Sequence, residues 1–162
     1  EHLLSGRNFD LQVGYVRRTD FRRSFAEARF TPRPRRRNRV RKYTYLGSVD
    51  YVTDERVTAV QNKELRGYFS TEFQNSDQYS LEYTHAYELI PKPFAISPGV
   101  IVPVGGYTAD NVRTTYQLGQ QRPLSGRIAL GYGSLYEGTR TEASYSGRLA
   151  IKPQLAVSVM MS

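Results

Sequence analysis

Leu65-Arg66-Gly67-Tyr68-Phe69-Ser70-Thr71-Glu72-Phe73-Gln74, then Asn75-Ser76-Asp77, then Gln78-Tyr79-Ser80-Leu81-Glu82-Tyr83-Thr84-His85-Ala86-Tyr87-Glu88-Leu89 is the stretch whose reading decides the fold. On the first arm Leu65, Gly67, Phe69, Thr71 and Phe73 alternate with Arg66, Ser70, Glu72 and Gln74, with Tyr68 the mixed case. On the second arm Tyr79, Leu81, Tyr83, Tyr87 and Leu89 alternate with Ser80, Glu82, Thr84 and Glu88. Successive side chains of a strand point to opposite faces, so a period of two predicts strands. Taking residues 75–77 as the connection pairs Gln74 with Gln78, Phe73 with Tyr79, Phe69 with Tyr83 and Leu65 with Tyr87. It also sets Ser70 against Glu82, Glu72 against Ser80 and His85 against Gly67. A slip of one residue would set every phenylalanine against a polar partner. The expectation is a hairpin with one aromatic face and one charged face.

Outward from the hairpin the pattern repeats. Upstream, Tyr43, Tyr45, Gly47, Val49 and Tyr51 alternate with Thr44, Ser48 and Asp50, and a turn is expected around residues 53–56. The more polar residues 57–64 lead into the hairpin and predict a strand longer than its apolar part. Ala26, Ala28 and Phe30 against Glu27 and Arg29 predict a strand over residues 24–31. Downstream, Val112, Thr114, Tyr116 and Leu118 form one face of the next strand. Leu124, Gly126, Ile128, Leu130, Tyr132, Ser134 and Tyr136 form one face of another. Glu137-Gly138-Thr139-Arg140 reads as a two-residue hairpin loop, because glycine suits the positive φ such loops need. That loop pairs Tyr132 with Tyr145 and Ile128 with Leu149. Ala143, Tyr145, Gly147, Leu149 and Ile151 face one way on the following strand, and Leu155, Val157, Val159 and Met161 begin one more.

Two segments break the alternation. Pro32-Arg33-Pro34-Arg35-Arg36-Arg37-Asn38-Arg39-Val40-Arg41-Lys42 is too rich in proline and charge for a central strand and reads as an exposed loop. Residues 90–108 hold four prolines, at 91, 93, 98 and 103, and read as one long irregular connection. Their apolar content predicts an ordered segment. No helical period occurs. The whole is an all-β, antiparallel up-and-down meander of about eight strands, a transmembrane β-barrel or part of a larger one. Residues 1–23 are expected to form a lead-in segment, with Leu11, Val13 and Tyr15 as a short strand, and residues 24–162 the β-barrel segment.

Composition bounds the function. The 162 residues allow one domain or part of one. There is no cysteine, hence no disulfide and no thiolate metal site. His2 and His85 are too few for a histidine-based zinc site. The chain lacks tryptophan, carries thirteen tyrosines and seven phenylalanines, and has a net charge of +8. It starts at Glu1 without a leader and ends within the apolar run 157–161, so it reads as a fragment of a longer chain. No run is long and apolar enough for a membrane helix. The strands of a β-barrel are only half apolar and leave a weak hydropathy signal.

The apolar face meets either a protein core or lipid. Arms of about nine to twelve residues match tilted membrane-crossing strands, whereas strands of soluble proteins average about five or six. Phe69, Phe73, Tyr79, Leu81, Tyr83, Tyr87, Tyr132 and Tyr145 are the expected lipid-facing and girdle residues. Arg66, Glu72, Glu82, Glu88, Arg113, Arg127 and Arg148 are expected on the polar, lumen-facing side, with Glu142 among the same set.

Val13-Gly14-Tyr15-Val16-Arg17-Arg18-Thr19-Asp20-Phe21-Arg22-Arg23, Phe30-Thr31-Pro32-Arg33-Pro34, Pro98-Gly99-Val100, Pro103-Val104-Gly105-Gly106-Tyr107 and the Gly/Tyr-rich stretch from Gly126 to Tyr132 resemble segments of a family of large, poorly characterised bacterial outer-membrane proteins. In that family a carbohydrate-binding-like sandwich of the type nine kind precedes a C-terminal transmembrane barrel. The resemblance covers nearly the whole chain, onto the barrel part only. It implies the outer membrane of a Gram-negative-type bacterium, a barrel of more than eight strands, and a sugar-binding-like domain elsewhere in the full-length chain. Family members are sometimes labelled hydrolases, but the resemblance implies no catalytic residue.

No nucleophile elbow, P-loop, zinc-protease helix motif or dinucleotide fingerprint occurs, so neither catalysis nor a cofactor is expected. Glu72 and Glu82 share a face, as a carboxylate pair would. Charges balanced by arginines are the plainer reading, and nothing points to a glycosidase. His85 falls on the apolar face with no partner for a metal. Arg33, Arg35, Arg36, Arg37, Arg39 and Arg41 are the expected anion-contacting loop, meeting anionic headgroups at a bilayer surface. The rival is a soluble basic β domain that binds a polyanion such as nucleic acid through residues 33–42. The absence of aromatics within the tract disfavours nucleic acid.

Overall fold

The computed structural model describes residues 2–5, 21–35, 39–54, 56, 59–97, 100–135, 138–152 and 155–161, and every regular element among them is a strand. In chain order these are β1 (His2–Ser5), β2 (Phe21–Phe30), β3 (Val40–Asp54), β4 (Val60–Phe73), β5 (Gln78–Ile90), β6 (Phe94–Ser97), β7 (Val100–Val102), β8 (Gly105–Gln117), β9 (Leu124–Leu135), β10 (Gly138–Lys152) and β11 (Leu155–Met161). Nine of them form one antiparallel sheet in the order β1-β2-β3-β4-β5-β8-β9-β10-β11, and β6 pairs with β7 alone. The eight long strands make the expected meander, and the four-residue β1 adds an edge. The sheet is open, since β1 and β11 do not pair with each other.

The hairpin 65–89 forms with both faces as expected and with its register moved by two residues. Phe69 pairs Leu81, Leu65 pairs His85, Gly67 pairs Tyr83, Ser70 pairs Ser80 and Glu72 pairs Gln78. The turn is wider than three residues. Phe73 N–H donates to the Asp77 carbonyl at 2.9 Å and Ser76 N–H to the Phe73 carbonyl at 3.0 Å, with Ser76 at φ 65°. A shift of two leaves every side chain on its face, so the alternation survives while its pairings change. Between β9 and β10 the shift is four residues, also an even number, so the faces again survive: Tyr132 pairs Thr141, Ile128 pairs Tyr145 and Leu124 pairs Leu149. Gly138 pairs Leu135 within the ladder and does not sit in the turn. Residues 136 and 137 lie outside the described residues, as do the short strand expected at 11–15 and Arg36 and Arg37.

Three boundaries also move. The division between residues 23 and 24 falls inside β2, whose first residues pair with β1. Val40, Arg41 and Lys42 belong to β3 and not to the loop, because both prolines precede the strand and leave its N–H groups intact. The 90–108 segment contains β6, β7 and the start of β8. Pro91, Pro93 and Pro103 stand just outside these strands, and Pro98 lies outside the described residues.

No core of ordinary kind exists among the described residues. Ile90, Val102 and Ala129 are the buried apolar side chains, and none is fully enclosed. The two faces differ sharply. One carries Phe30, Tyr45, Leu81, Val112, Leu130 and Tyr132, all exposed. Among the described side chains of the long strands, every exposed large apolar one except Met160 lies on that face. The other face is polar and better covered. Thr44 is 9% exposed beside Tyr45 at 46%, and Ala129 is 4% exposed beside Leu130 at 51%. The sheet therefore curls with its polar face on the inside of the curve.

Candidate functional site

The concave face is built from cross-strand charge pairs. Arg23 Nε donates to Asp50 Oδ1 at 2.8 Å, between β2 and β3. Arg66 Nη2 donates to Glu82 Oε2 at 2.9 Å, between β4 and β5. Glu72 accepts from Arg41 Nη1 at 3.0 Å and lies 3.3 Å from Lys42 Nζ. Arg41 and Lys42 are consecutive, and in a regular strand they would point apart. A register shift between Val40 and Lys42 makes Arg41 the extra residue of a bulge, which turns both toward Glu72. Arg140 pairs with Glu142 on β10. Exposed pairs of this kind contribute about 0–1 kcal/mol each, so their main effect here is to satisfy charge on a polar wall.

Of the expected polar-face residues, Arg66, Glu72, Glu82, Arg113, Arg127 and Arg148 all lie on this face, and Glu88 continues it beside Asn62 and Tyr107. Glu72 and Glu82 are held by separate cations and do not form a carboxylate pair. Phe69, Leu81, Tyr83, Tyr132 and Tyr145 lie on the convex face, and Tyr79 and Tyr87 share its alternation. Phe73 ends β4 opposite Val40. Tyr43, Thr71, Tyr79, Tyr116, Ile128 and Tyr145 form one row across six strands. Phe30, Tyr43, Tyr45 and Phe69 cluster on the convex face, with centroids as close as 5.2 Å between Tyr45 and Phe69.

His85 sits on the convex face as expected, but opposite Leu65 and Asp110 instead of Gly67. Its Nδ1 is 2.8 Å from Asp110 Oδ1, which also accepts from the Tyr83 hydroxyl at 2.6 Å. Asp110 N–H donates to Ser134 Oγ at 2.9 Å. Sequence spacing held no signal for this group, because it depends on the β5–β8 register across a long connection. Among the described residues no group of three or more His, Cys, Asp or Glu could hold a metal ion.

Two turns at one end of the sheet are joined through Asp77. The residue is 3% exposed, and its carboxylate accepts from Gly119 N–H at 2.8 Å, the Tyr116 hydroxyl at 3.1 Å, Asn75 Nδ2 at 2.9 Å and Arg122 Nη2 at 3.3 Å. Burial alone would raise its pKa. The Gly119 N–H, followed by Tyr116, Arg122 and Asn75, outweighs burial and holds the carboxyl below its usual value. The described arginines of the basic tract lie at this same end, Arg33, Arg35 and Arg39 between β2 and β3 and Arg41 at the start of β3, and all four are exposed. The tract is tied at its end, since Gln74 N–H donates to the Arg39 carbonyl at 2.8 Å. The β6–β7 hairpin lies at the opposite end, between β5 and β8.

Comparison with protein-family models, with curated proteins and with solved structures finds no match to this chain.

Proposed function

We propose that this chain forms part of the wall of an outer-membrane β-barrel with a structural or uptake role. Its convex aromatic face meets lipid, its concave face lines a watery lumen, and the 91–104 connection stands at one mouth. The observation that carries this reading is the inversion of the usual burial. The polar face is the covered, inner one, and the apolar face is the exposed, outer one. In water each large side chain left on that face forgoes about 1.5–3 kcal/mol of burial, and a soluble sheet of this size covers its apolar side with a second layer. Lipid supplies that cover.

The outline of the apolar band supports the same reading. Tyr43 on β3 and Tyr145 on β10 share one transverse row. From that row the apolar positions run on β3 toward the β6–β7 end as far as Tyr51. On β10 they reach only Ala143 in that direction and extend the other way to Leu149. An oblique band is what a flat hydrocarbon slab imprints on strands tilted by about 35–45°. The Asp110–His85–Tyr83 group then falls at the margin of the band. A bilayer tolerates no open sheet edge, because unpaired N–H and C=O groups have no water to bond. The reading therefore requires the outer edges of β1 and β11 to be paired, with each other or with further strands.

Extraction tests the proposal. The chain is expected to need detergent, to refold into detergent micelles and to migrate differently on gels before and after heating. A clean monomer in detergent-free buffer would contradict it. In that event salt-sensitive retention on nucleic acid, abolished by charge reversal at Arg33, Arg35 and Arg39, would favour the polyanion-binding alternative.

A further inference from the structure

We infer that the concave face carries an oxyanion site on β9 and β10, formed by Ser125, Arg127, Ser146 and Arg148, which takes the phosphate group of a small solute. Charge is segregated along the chain. Beyond Asp110 the only acidic side chains are Glu137 and Glu142, while Arg113, Arg122, Arg127, Arg140, Arg148 and Lys152 all fall there. On β2 to β5 the pairs Arg23–Asp50, Arg66–Glu82 and Lys42–Glu72 balance the polar wall. Arg122 meets Asp77 and Arg140 meets Glu142. Arg127 and Arg148 have no carboxylate partner among the described residues.

The register brings these two together. Ser125 pairs Arg148, and Arg127 pairs Ser146, so the four form a crossed quartet on one face. Diagonal neighbours in such a ladder are about 7–8 Å apart, within reach of long side chains. Two guanidinium side chains on such diagonal positions, with no acid between them, repel each other, and an anion held between them relieves that repulsion. A cleft of about 420 Å³ opens over the quartet and is also bounded by Gln117 and Gln120. Ser125 is only 7% exposed and lines this cleft. The site thus offers two forked donors, two hydroxyls and two amides, and no competing carboxylate. Guanidinium forks match phosphate oxygens in pairs.

The site deepens the barrel reading, in which the concave face is a lumen open to water, yet the two fail separately. The test is titration of the detergent-refolded chain with inorganic phosphate at constant ionic strength, read by calorimetry and by thermal unfolding. Saturable binding and a Tm that rises with phosphate are expected. The Arg127→Gln/Arg148→Gln double variant is expected to bind at least 10-fold more weakly, and to lose the phosphate-dependent Tm rise. Ser125→Ala should weaken binding several-fold, and Arg113→Gln, outside the quartet, should leave it unchanged. If the double variant does not refold, Arg148→Lys serves. It keeps the charge, loses the fork, and is expected to bind several-fold more weakly. Absence of saturable binding to the unmodified chain, or equal affinity in the quartet variants, would overturn the site. Phosphate binding by a detergent-free monomer would keep the site and remove the barrel. A heat-modifiable barrel without phosphate binding would do the reverse.

Discussion

Gly119 donates its backbone N–H to the Asp77 carboxylate at 2.8 Å, and through that bond two neighbouring turns of the sheet become one structure. A Cβ at position 119 would stand 2.7 Å from the Asn75 carbonyl oxygen, so glycine alone lets the turns approach this closely. Asp77→Ala leaves the buried Gly119 N–H without its acceptor and is expected to cost about 2–3 kcal/mol at neutral pH. Gly119→Ala forces the turns apart and is expected to cost about 1–3 kcal/mol. Urea unfolding in detergent micelles measures both.

The same carboxylate predicts a pH dependence. Its pKa in the folded chain lies below the ordinary value of 3.8. A depressed carboxylate stabilises the fold above its unfolded pKa, and that contribution is lost as pH falls through the folded value. The stability difference between the unmodified chain and Asp77→Asn should therefore be constant at neutral pH and shrink in strong acid. A difference that grows on acidification would contradict the assignment.

Adjacent residues on β5 separate the two solvents. Leu81→Arg puts a charge on the convex face and is expected to destabilise by about 2–4 kcal/mol if that site lies at mid-membrane. Ser80→Arg points to the concave face between Ser70 and Thr115 and should cost less than 1 kcal/mol or so. Reversible unfolding from lipid vesicles gives both values, and equal costs would contradict a wall between unlike solvents.

The chain contains no cysteine, so engineered pairs report register without interference. Ser70→Cys with Ser80→Cys is expected to oxidise to a disulfide readily. Ser70→Cys with Glu82→Cys, one pair further along, is not. The opposite outcome on a reducing and non-reducing gel pair would restore the tighter turn.

These register shifts mark what the sequence could disclose. Alternation at Leu65, Phe69, Leu81 and Tyr83 assigns faces, and faces are unchanged by a slip of two. Pairing depends on the turn, and this turn is widened by Ser76 at positive φ and by the long-range bonds of Asp77, whose partners Tyr116, Gly119 and Arg122 no local pattern connects to it. The β6–β7 hairpin was obscured for the opposite reason. Prolines at 91, 93, 98 and 103 read as breakers of the whole segment, yet Pro91, Pro93 and Pro103 each flank a strand without entering it. Arg127 and Arg148 were recognisable as polar-face residues, but their crossed pairing with Ser146 and Ser125 needed the actual β9–β10 register.

The most direct measurement uses the absence of native tryptophan. Single-tryptophan variants Leu81→Trp and Ser80→Trp, refolded into vesicles containing brominated phospholipid, place a fluorophore on each face of one strand. If the convex face meets lipid, the bromines quench Leu81→Trp strongly and leave Ser80→Trp bright, while aqueous iodide quenches only Ser80→Trp. Iodide quenching of Leu81→Trp with no effect of brominated lipid would contradict the membrane-facing wall.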